Sequence, residues 1–274
     1  MSQLLVKAKP HQIAPGVTRI HEVTRDNSIL EYIEFKVLDL EAGSSYREEL
    51  VQKECCIVGL TGKIDVFSEQ KVFREIGTRE SVFEKKPTDS VYLSNGQPFE
   101  VRAVTQARVA LCYSFSDEKR PSMLIRAADN TVEKRGILNN QRLVHNILPD
   151  SELFANRLLV VEVFTESGNW SSYPPHKHDE DNLPHESLLE ETYYHELNPK
   201  QGFVFQRVYT DDRLLDETMT VEHSNVVLVP RGYHPVGVPD GYTSYYLNVM
   251  AGPKRIWKFH NDPNHAWILE RQGQ

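Results

Sequence analysis

Three histidines and one glutamate, spread over three segments, are the residues best suited to hold a metal ion. His176 and His178 lie in Tyr173-Pro174-Pro175-His176-Lys177-His178-Asp179, Glu191 heads Glu191-Thr192-Tyr193-Tyr194-His195, and His234 lies in Val229-Pro230-Arg231-Gly232-Tyr233-His234-Pro235. Alternate residues of an extended strand share a face, so His176 and His178 are expected to point the same way. Two imidazoles fixed after a Pro-Pro pair suit a divalent ion of the zinc, manganese or iron type. Glu191 opens an aromatic strand that can lie beside them and add a carboxylate. His234 follows a Pro/Gly turn on a late strand. In a small barrel these positions can converge on the interior. Three His and one Glu leave coordination positions open, as a catalytic metal requires.

That convergence calls for strands. Short apolar runs rich in Val, Ile, Tyr and Phe recur along the chain, broken by Gly, Pro, Asn or Asp. The first half offers residues 32–40, 55–60, 63–67, 90–93, 99–104 and 109–115; the second offers 158–164, 192–195, 202–209, 225–229 and 243–250. Long helical periodicity is absent, and residues 188–191 read as the start of a strand. The pattern predicts an all-β sandwich or barrel.

An internal repeat suggests two of them. Gly43-Ser44-Ser45-Tyr46 echoes Ser171-Ser172-Tyr173, Lys53-Glu54 before Cys55 echoes Glu190-Glu191 before Thr192, and Val91 to Gly96 echoes Val227 to Gly232, all in the same order. The expected division is an N-terminal barrel over 1–117, a polar linker over 118–150 and a C-terminal barrel over 151–274. Aligning the repeats sets Glu49 and Val51 opposite His176 and His178, and Pro98 opposite His234. The N-terminal copy is therefore expected to be a structural, metal-free barrel.

Composition narrows the partners. With 39% hydrophobic residues and a net charge of −8, the chain reads as a globular protein with no general affinity for nucleic acid or an anionic membrane. A small anionic substrate stays compatible, since a few cations in a pocket outweigh a distant surface field. Cys55, Cys56 and Cys112 form no CxxC pair and read as buried reduced thiols. No signal-like or membrane-spanning run is present, so a cytoplasmic location is expected. Exposed strand edges favour some homo-oligomer, of undefined size.

At the metal-type residues the sequence resembles the cupin superfamily, whose signature is HxH, a Glu, and a later His. It is similar in particular to the bicupin sugar isomerases of bacterial myo-inositol catabolism. The resemblance spans nearly the whole chain. It is carried by Asn146-Ile147-Leu148-Pro149, by the run from Gly168 to Asp179, by Gly202 to Tyr209, by Arg231 to Pro235, by Tyr245 to Pro253 and by Asp262 to Trp267. It implies two tandem cupin (double-stranded β-helix) barrels. The sequence departs from the usual cupin spacing by placing twelve residues, Asp179 to Glu190, between His178 and Glu191. That leaves Glu190, Glu180 and His185 as rival ligands; Glu191 is preferred because it precedes the aromatic strand.

The resemblance further implies an aldose–ketose isomerisation of 5-deoxy-D-glucuronate to 5-dehydro-2-deoxy-D-gluconate, assisted by one divalent metal ion. A proton route needs a base with a pKa near neutral, and His195, Glu196 and Tyr233 are the candidates. A metal-assisted hydride shift is the rival route. The small anionic sugar acid needs a cation for its carboxylate, with Arg207 first and Arg142, Lys177 and Arg255 after it. Trp170, Trp257 and Trp267 could line the pocket, with a core position the preferred reading. Rival readings on the same scaffold are an isomerase of pectin-derived uronates, an oxygen-using dioxygenase, and a non-enzymatic sugar-binding cupin.

Overall fold

A computed structural model describes residues 2–69 and 71–271. Strands dominate, and helix is confined to short 3-10 turns such as Val82–Glu84 and Ala266–Glu270. Among the described residues no helix is long and apolar enough to cross a membrane.

The chain folds into two compact units, one of residues 8–131 with 146–160, the other of residues 1–7 with 132–145 and 161–274. Each is a cupin barrel that combines a seven-stranded with a four-stranded antiparallel sheet. In the N-terminal unit the large sheet runs Met123–Ile125, Ser90–Leu93, Lys53–Thr61, Ala107–Phe115, Ile33–Leu40, Val17–Val23, His11–Ala14, and the small one Ser45–Leu50, Gln97–Ala103, Ile64–Ser68, Val72–Ile76. Alternate residues of both sheets, including Leu38, Ile57, Val109 and Leu111 from one and Val66, Phe99 and Val101 from the other, fill a shared core.

The second large sheet runs Leu5–Val6, Val226–Val229, Glu190–Asn198, Thr243–Ala251, Leu159–Thr165, Arg142–Leu148, Thr131–Arg135, and its small partner Trp170–Ser171, Val236–Gly237, Phe203–Tyr209, Asp216–Glu222. Its central strands, Glu-Glu-Thr-Tyr-Tyr-His-Glu-Leu-Asn and Thr-Ser-Tyr-Tyr-Leu-Asn-Val-Met-Ala, carry the aromatic and β-branched residues that suit a pleated, buried surface.

The strands read from apolar runs are present with ends shifted by a residue or a few. Strands were missed in the stretch read as a linker. Residues 118–150 contain Met123–Ile125, Thr131–Arg135 and Arg142–Leu148, and they contribute to both units. Their sequences are too polar or too short to stand out as apolar runs. Residues 1–7 also depart from the expected division, because Leu5 pairs with Val227 and Val6 with Val226.

Candidate metal centre and its cavity

Register aims the candidate ligands. Glu191 lies opposite Val229 on one side and Met250 on the other, at the buried start of its strand. His176 sits on a two-residue strand facing Asn261, and His178 follows just beyond it. The twelve-residue spacer folds as a hairpin, Asp179–Asn182 against Glu186–Leu188, so the extra length bulges out and still returns the chain to Glu191. Gly232 precedes His234 with φ +92°, and a Cβ there would lie 2.5 Å from the Tyr209 carbonyl oxygen, so glycine alone lets this turn close.

His178, Glu191 and His234 bring one donor atom each within 4.8 Å of one another, all buried. The His176 ring lies 5.0 Å from that of His234 and 6.4 Å from that of His178, centroid to centroid, and it lines the same cavity as Glu191. The rival carboxylates lie elsewhere. Glu190 falls on the opposite face of the strand by alternation. Glu180 pairs with Lys177 with its side chain 58% exposed, and His185 is exposed at the hairpin turn.

The hydrogen bonding suits a cation. His178 Nδ1–H donates to the Leu189 carbonyl at 2.9 Å, and His234 Nδ1–H donates to the Gly232 carbonyl at 2.8 Å. In a neutral ring each Nε2 is then a bare lone pair, and both face the same Glu191 oxygen, at 3.1 and 3.2 Å. Two lone pairs against a carboxylate repel one another unless positive charge lies between them. The approach of His234 Nε2 makes no hydrogen bond, leaving a buried nitrogen unsatisfied. Burial would raise the Glu191 carboxyl, yet positive charge on the His234 and His178 rings would draw it down to about 2, so the carboxylate calls for a cation in front of it, whether from the rings or from an ion. Burial and the imidazoles of His234 and His178 push His176 well below the ordinary histidine value. A divalent ion with open coordination positions fits this donor set.

A cavity of about 370 Å³ opens beside His176, walled by Arg142, Tyr173, Trp257, Phe259 and Asn261. A narrower recess of about 40 Å³ shares His176, Arg135, Arg142 and Trp257 with it and ends at Glu191, Tyr193, Ser172 and Tyr246. Arg142 is the one carboxylate-binding candidate that the structure brings here. Its guanidinium donates to the carbonyls of Asn140 at 3.0 Å and Tyr173 at 3.2 Å. Burial, eased by Tyr246 and reinforced by Arg135, disfavours its charge, so an incoming anion would relieve it.

Several other expectations need correction. Arg207 points away from the interior by strand alternation and holds Asp216 at 2.7 and 2.6 Å while lying over the Tyr209 ring. Lys177 is enclosed by Asp179, Glu180 and Glu186, which draw its ammonium above the ordinary value against the effect of burial. Arg255 is half-buried and lines neither recess. Of the base candidates, Glu196 faces away from Glu191 and accepts from Tyr194 at 2.9 Å, and Tyr233 donates to Asp211. His195 lies behind Tyr193 and Tyr246 with Nε2 on Gln206, and burial pushes it down to about 4 against that bond. Trp257 lines the cavity, whereas Trp170 and Trp267 are exposed, so none of the three is a core residue. Sequence reasoning passed over Arg135, Ser172, Tyr193 and Tyr246. For Tyr193 a signal was present, since strand alternation puts it on the face of Glu191.

The profile of the KduI/IolB family matches residues 4–268. The chain is 69% identical over 271 residues to a 5-deoxy-glucuronate isomerase of Bacillus licheniformis, an alignment covering 99% of this chain and 100% of that one. An IolB-like protein of Salmonella typhimurium superposes with TM-score 0.93 at 47% identity, over 97% of this chain and 99% of that one. Oxalate decarboxylase of Lactobacillus farciminis superposes with TM-score 0.69 over 99% of this chain and 91% of that one; at 13% identity it is a likeness of fold.

Proposed function

Because the chain belongs to the KduI/IolB family, we propose that it is a 5-deoxy-glucuronate isomerase, an intramolecular oxidoreductase that turns this aldose acid into the ketose 5-dehydro-2-deoxy-D-gluconate. The near-identical length and 69% identity of the Bacillus licheniformis isomerase support this reading. The single structural observation that carries it is a cluster of three buried metal-type donors whose Glu191 lines a recess that also holds a half-buried arginine.

We place one divalent ion, zinc, manganese or iron, on His176, His178, Glu191 and His234. When bound, such an ion supplies Lewis acidity, polarising the substrate carbonyl. The protein's residues do the rest. Arg142, held by two backbone carbonyls, is oriented to take the substrate carboxylate in a paired hydrogen bond. Trp257 and Phe259 offer apolar faces to the sugar ring or chain and keep water out of the recess.

The test is elemental analysis of the purified protein, paired with NMR observation of 5-deoxy-glucuronate turnover without oxygen. Bound metal and stoichiometric ketose are expected. Metal-loaded protein that leaves this sugar unchanged while converting a uronate that keeps its 5-hydroxyl would move the assignment to the pectin-derived substrates; a need for oxygen would point to a dioxygenase. Arg142→Ala should raise KM for the acid by about 10- to 100-fold, the range of one charge-assisted pair.

A further inference from the structure

The recess that ends at Glu191 contains three hydroxyls in a row. Ser172 Oγ lies 3.0 Å from the Tyr193 hydroxyl and 3.5 Å from the Tyr246 hydroxyl, and all three residues line the recess together with His176. Tyr193 and Tyr246 are 1% and 2% exposed, and their rings meet at 4.9 Å. Tyr193 comes from the strand Glu190–Asn198 and Tyr246 from its neighbour Thr243–Ala251; Ser172 sits just past Trp170–Ser171 with φ +49°, and its hydroxyl reaches both of theirs.

The stoichiometry of the isomerisation creates a task for such a row. In an aldose-to-ketose conversion C2 is oxidised and C1 is reduced, with no outside oxidant or reductant. A hydrogen leaves C2 and one arrives at C1, either as a proton by way of a base or directly as hydride. In both cases the O–H bond at O2 breaks as C2=O2 forms, and O1 gains a proton as C1=O1 becomes a single bond. A proton must therefore cross from O2 to O1 whichever way the carbon hydrogen travels.

We propose that Tyr193, Ser172 and Tyr246 form the relay that carries this oxygen-to-oxygen proton. Each hydroxyl takes a proton on one side and gives one on the other, so all three begin and end neutral and no separated charge is buried. A hydroxyl row suits the task in this enclosed place because each group is both donor and acceptor. The two tyrosines, which touch the substrate oxygens in this scheme, are catalytic residues, and Ser172 connects them. This inference rests on the isomerase reading above and adds the route of one proton to it.

The experiment uses full-length, metal-loaded protein. Tyr193→Phe and Tyr246→Phe each remove one oxygen and keep the ring, and Ser172→Ala breaks the middle link if either Phe variant fails to fold. Single-turnover rates in H2O, D2O and their mixtures are measured beside metal content and KM. The wild type should show a solvent isotope effect whose dependence on deuterium fraction is curved, reporting several protons in flight. Each variant should lose about 10²-fold or more in rate with metal content and KM kept, and the curvature should vanish, since general acid–base help of this kind contributes about that much. Folded variants with wild-type rates, or slowed variants with the isotope dependence unchanged, would overturn the relay. A wild type that does not turn over 5-deoxy-glucuronate would instead refute the isomerase reading itself, a distinct outcome.

Discussion

Each unit of the chain encloses a carboxylate, and the two are neutralised in different ways. In the N-terminal unit Glu48 takes hydrogen bonds from Lys36 at 3.0 Å and from Tyr46 and Tyr113 at 2.7 Å, with Lys53 3.0 Å away on its other oxygen. In the C-terminal unit Glu191 has two imidazole nitrogens in front of it and no ammonium. One barrel thus carries its cations on its own side chains, and the other has a place for a cation from solution. A lysine ammonium neutralises the carboxylate and leaves nothing available for chemistry. A metal with open positions neutralises it and still accepts a substrate oxygen. On the proposed function, the two copies of the fold differ in what supplies the positive charge.

The largest effect should come from exchanging charge at these two carboxylates. Glu191→Gln is expected to lose bound metal and to lower turnover about 10³-fold or more, as removal of several kcal/mol of Lewis-acid stabilisation would. Glu48→Gln should retain metal in full by elemental analysis. Equal metal loss from both variants would erase the distinction between the barrels.

Truncating the N-terminal carboxylate should act on stability. Glu48→Ala leaves two mostly buried ammoniums, with side chains 12% and 21% exposed, without their shared partner. Lys53 keeps Glu34 at 3.2 Å and Lys36 keeps Glu22 at 3.8 Å, so the expected cost in denaturant unfolding is about 1–3 kcal/mol, below that of a buried charge left uncompensated. Unfolding curves that coincide with wild type would show that the cluster contributes nothing.

Acid should separate the two sites in time. Burial pushes the Glu48 carboxyl upward, but Lys36, Tyr46, Tyr113 and Lys53 outweigh it and bring it from 4.5 to about 2. A depressed carboxyl contributes stability that is present above its unfolded pKa, so this contribution, ~3 kcal/mol at most, fades as pH falls from about 4.5 toward 2. Burial lowers His178, but Glu191 outweighs it and holds this ligand above the ordinary histidine value, so protons compete with a metal for it before the carboxylate range is reached. Metal release followed by simultaneous dye binding and metal counts during a downward titration should therefore precede the acid loss of the N-terminal barrel. The reverse order would contradict the assignment of charge sources.

The smallest effect concerns orientation. Asp179 accepts from the Gly232 amide at 2.8 Å, and the Gly232 carbonyl in turn receives His234 Nδ1–H. Asp179→Asn weakens that support and should cost about 10-fold in metal affinity by calorimetry, in the range for residues that orient ligands.

Much of this was legible in the residues. Strand alternation and three separated motifs were enough to bring His178, Glu191 and His234 together, because a period-2 pattern fixes which side chains share a face. The repeat was visible, yet it equated Glu54 with Glu191, and the structure places Glu54 away from the core, receiving the backbone amides of Asn156, Arg157 and Leu158. Its neighbours Cys55 and Ile57 face the core instead. A slip of one residue exchanges faces, and similarity of short motifs cannot detect it. Arg207 misled for the same reason. Arg142 and Tyr246 reach the cavity through sheet order, with Arg142 at the end of one strand and Tyr246 within another. That neighbourhood is long-range, and local spacing does not encode it.

Leu5 and Val6 close the open side of Val226–Val229, the strand next to the one bearing Glu191, and the Leu228 amide donates to the Leu4 carbonyl at 2.8 Å. This strand is therefore synthesised long before its partner, which lies far later in the chain. A nascent chain arrested before Val226 keeps that leading strand unmatched. A clipped chain lacking residues 2–7 would in turn expose a valine-rich edge to its neighbours, a ready seed for aggregation.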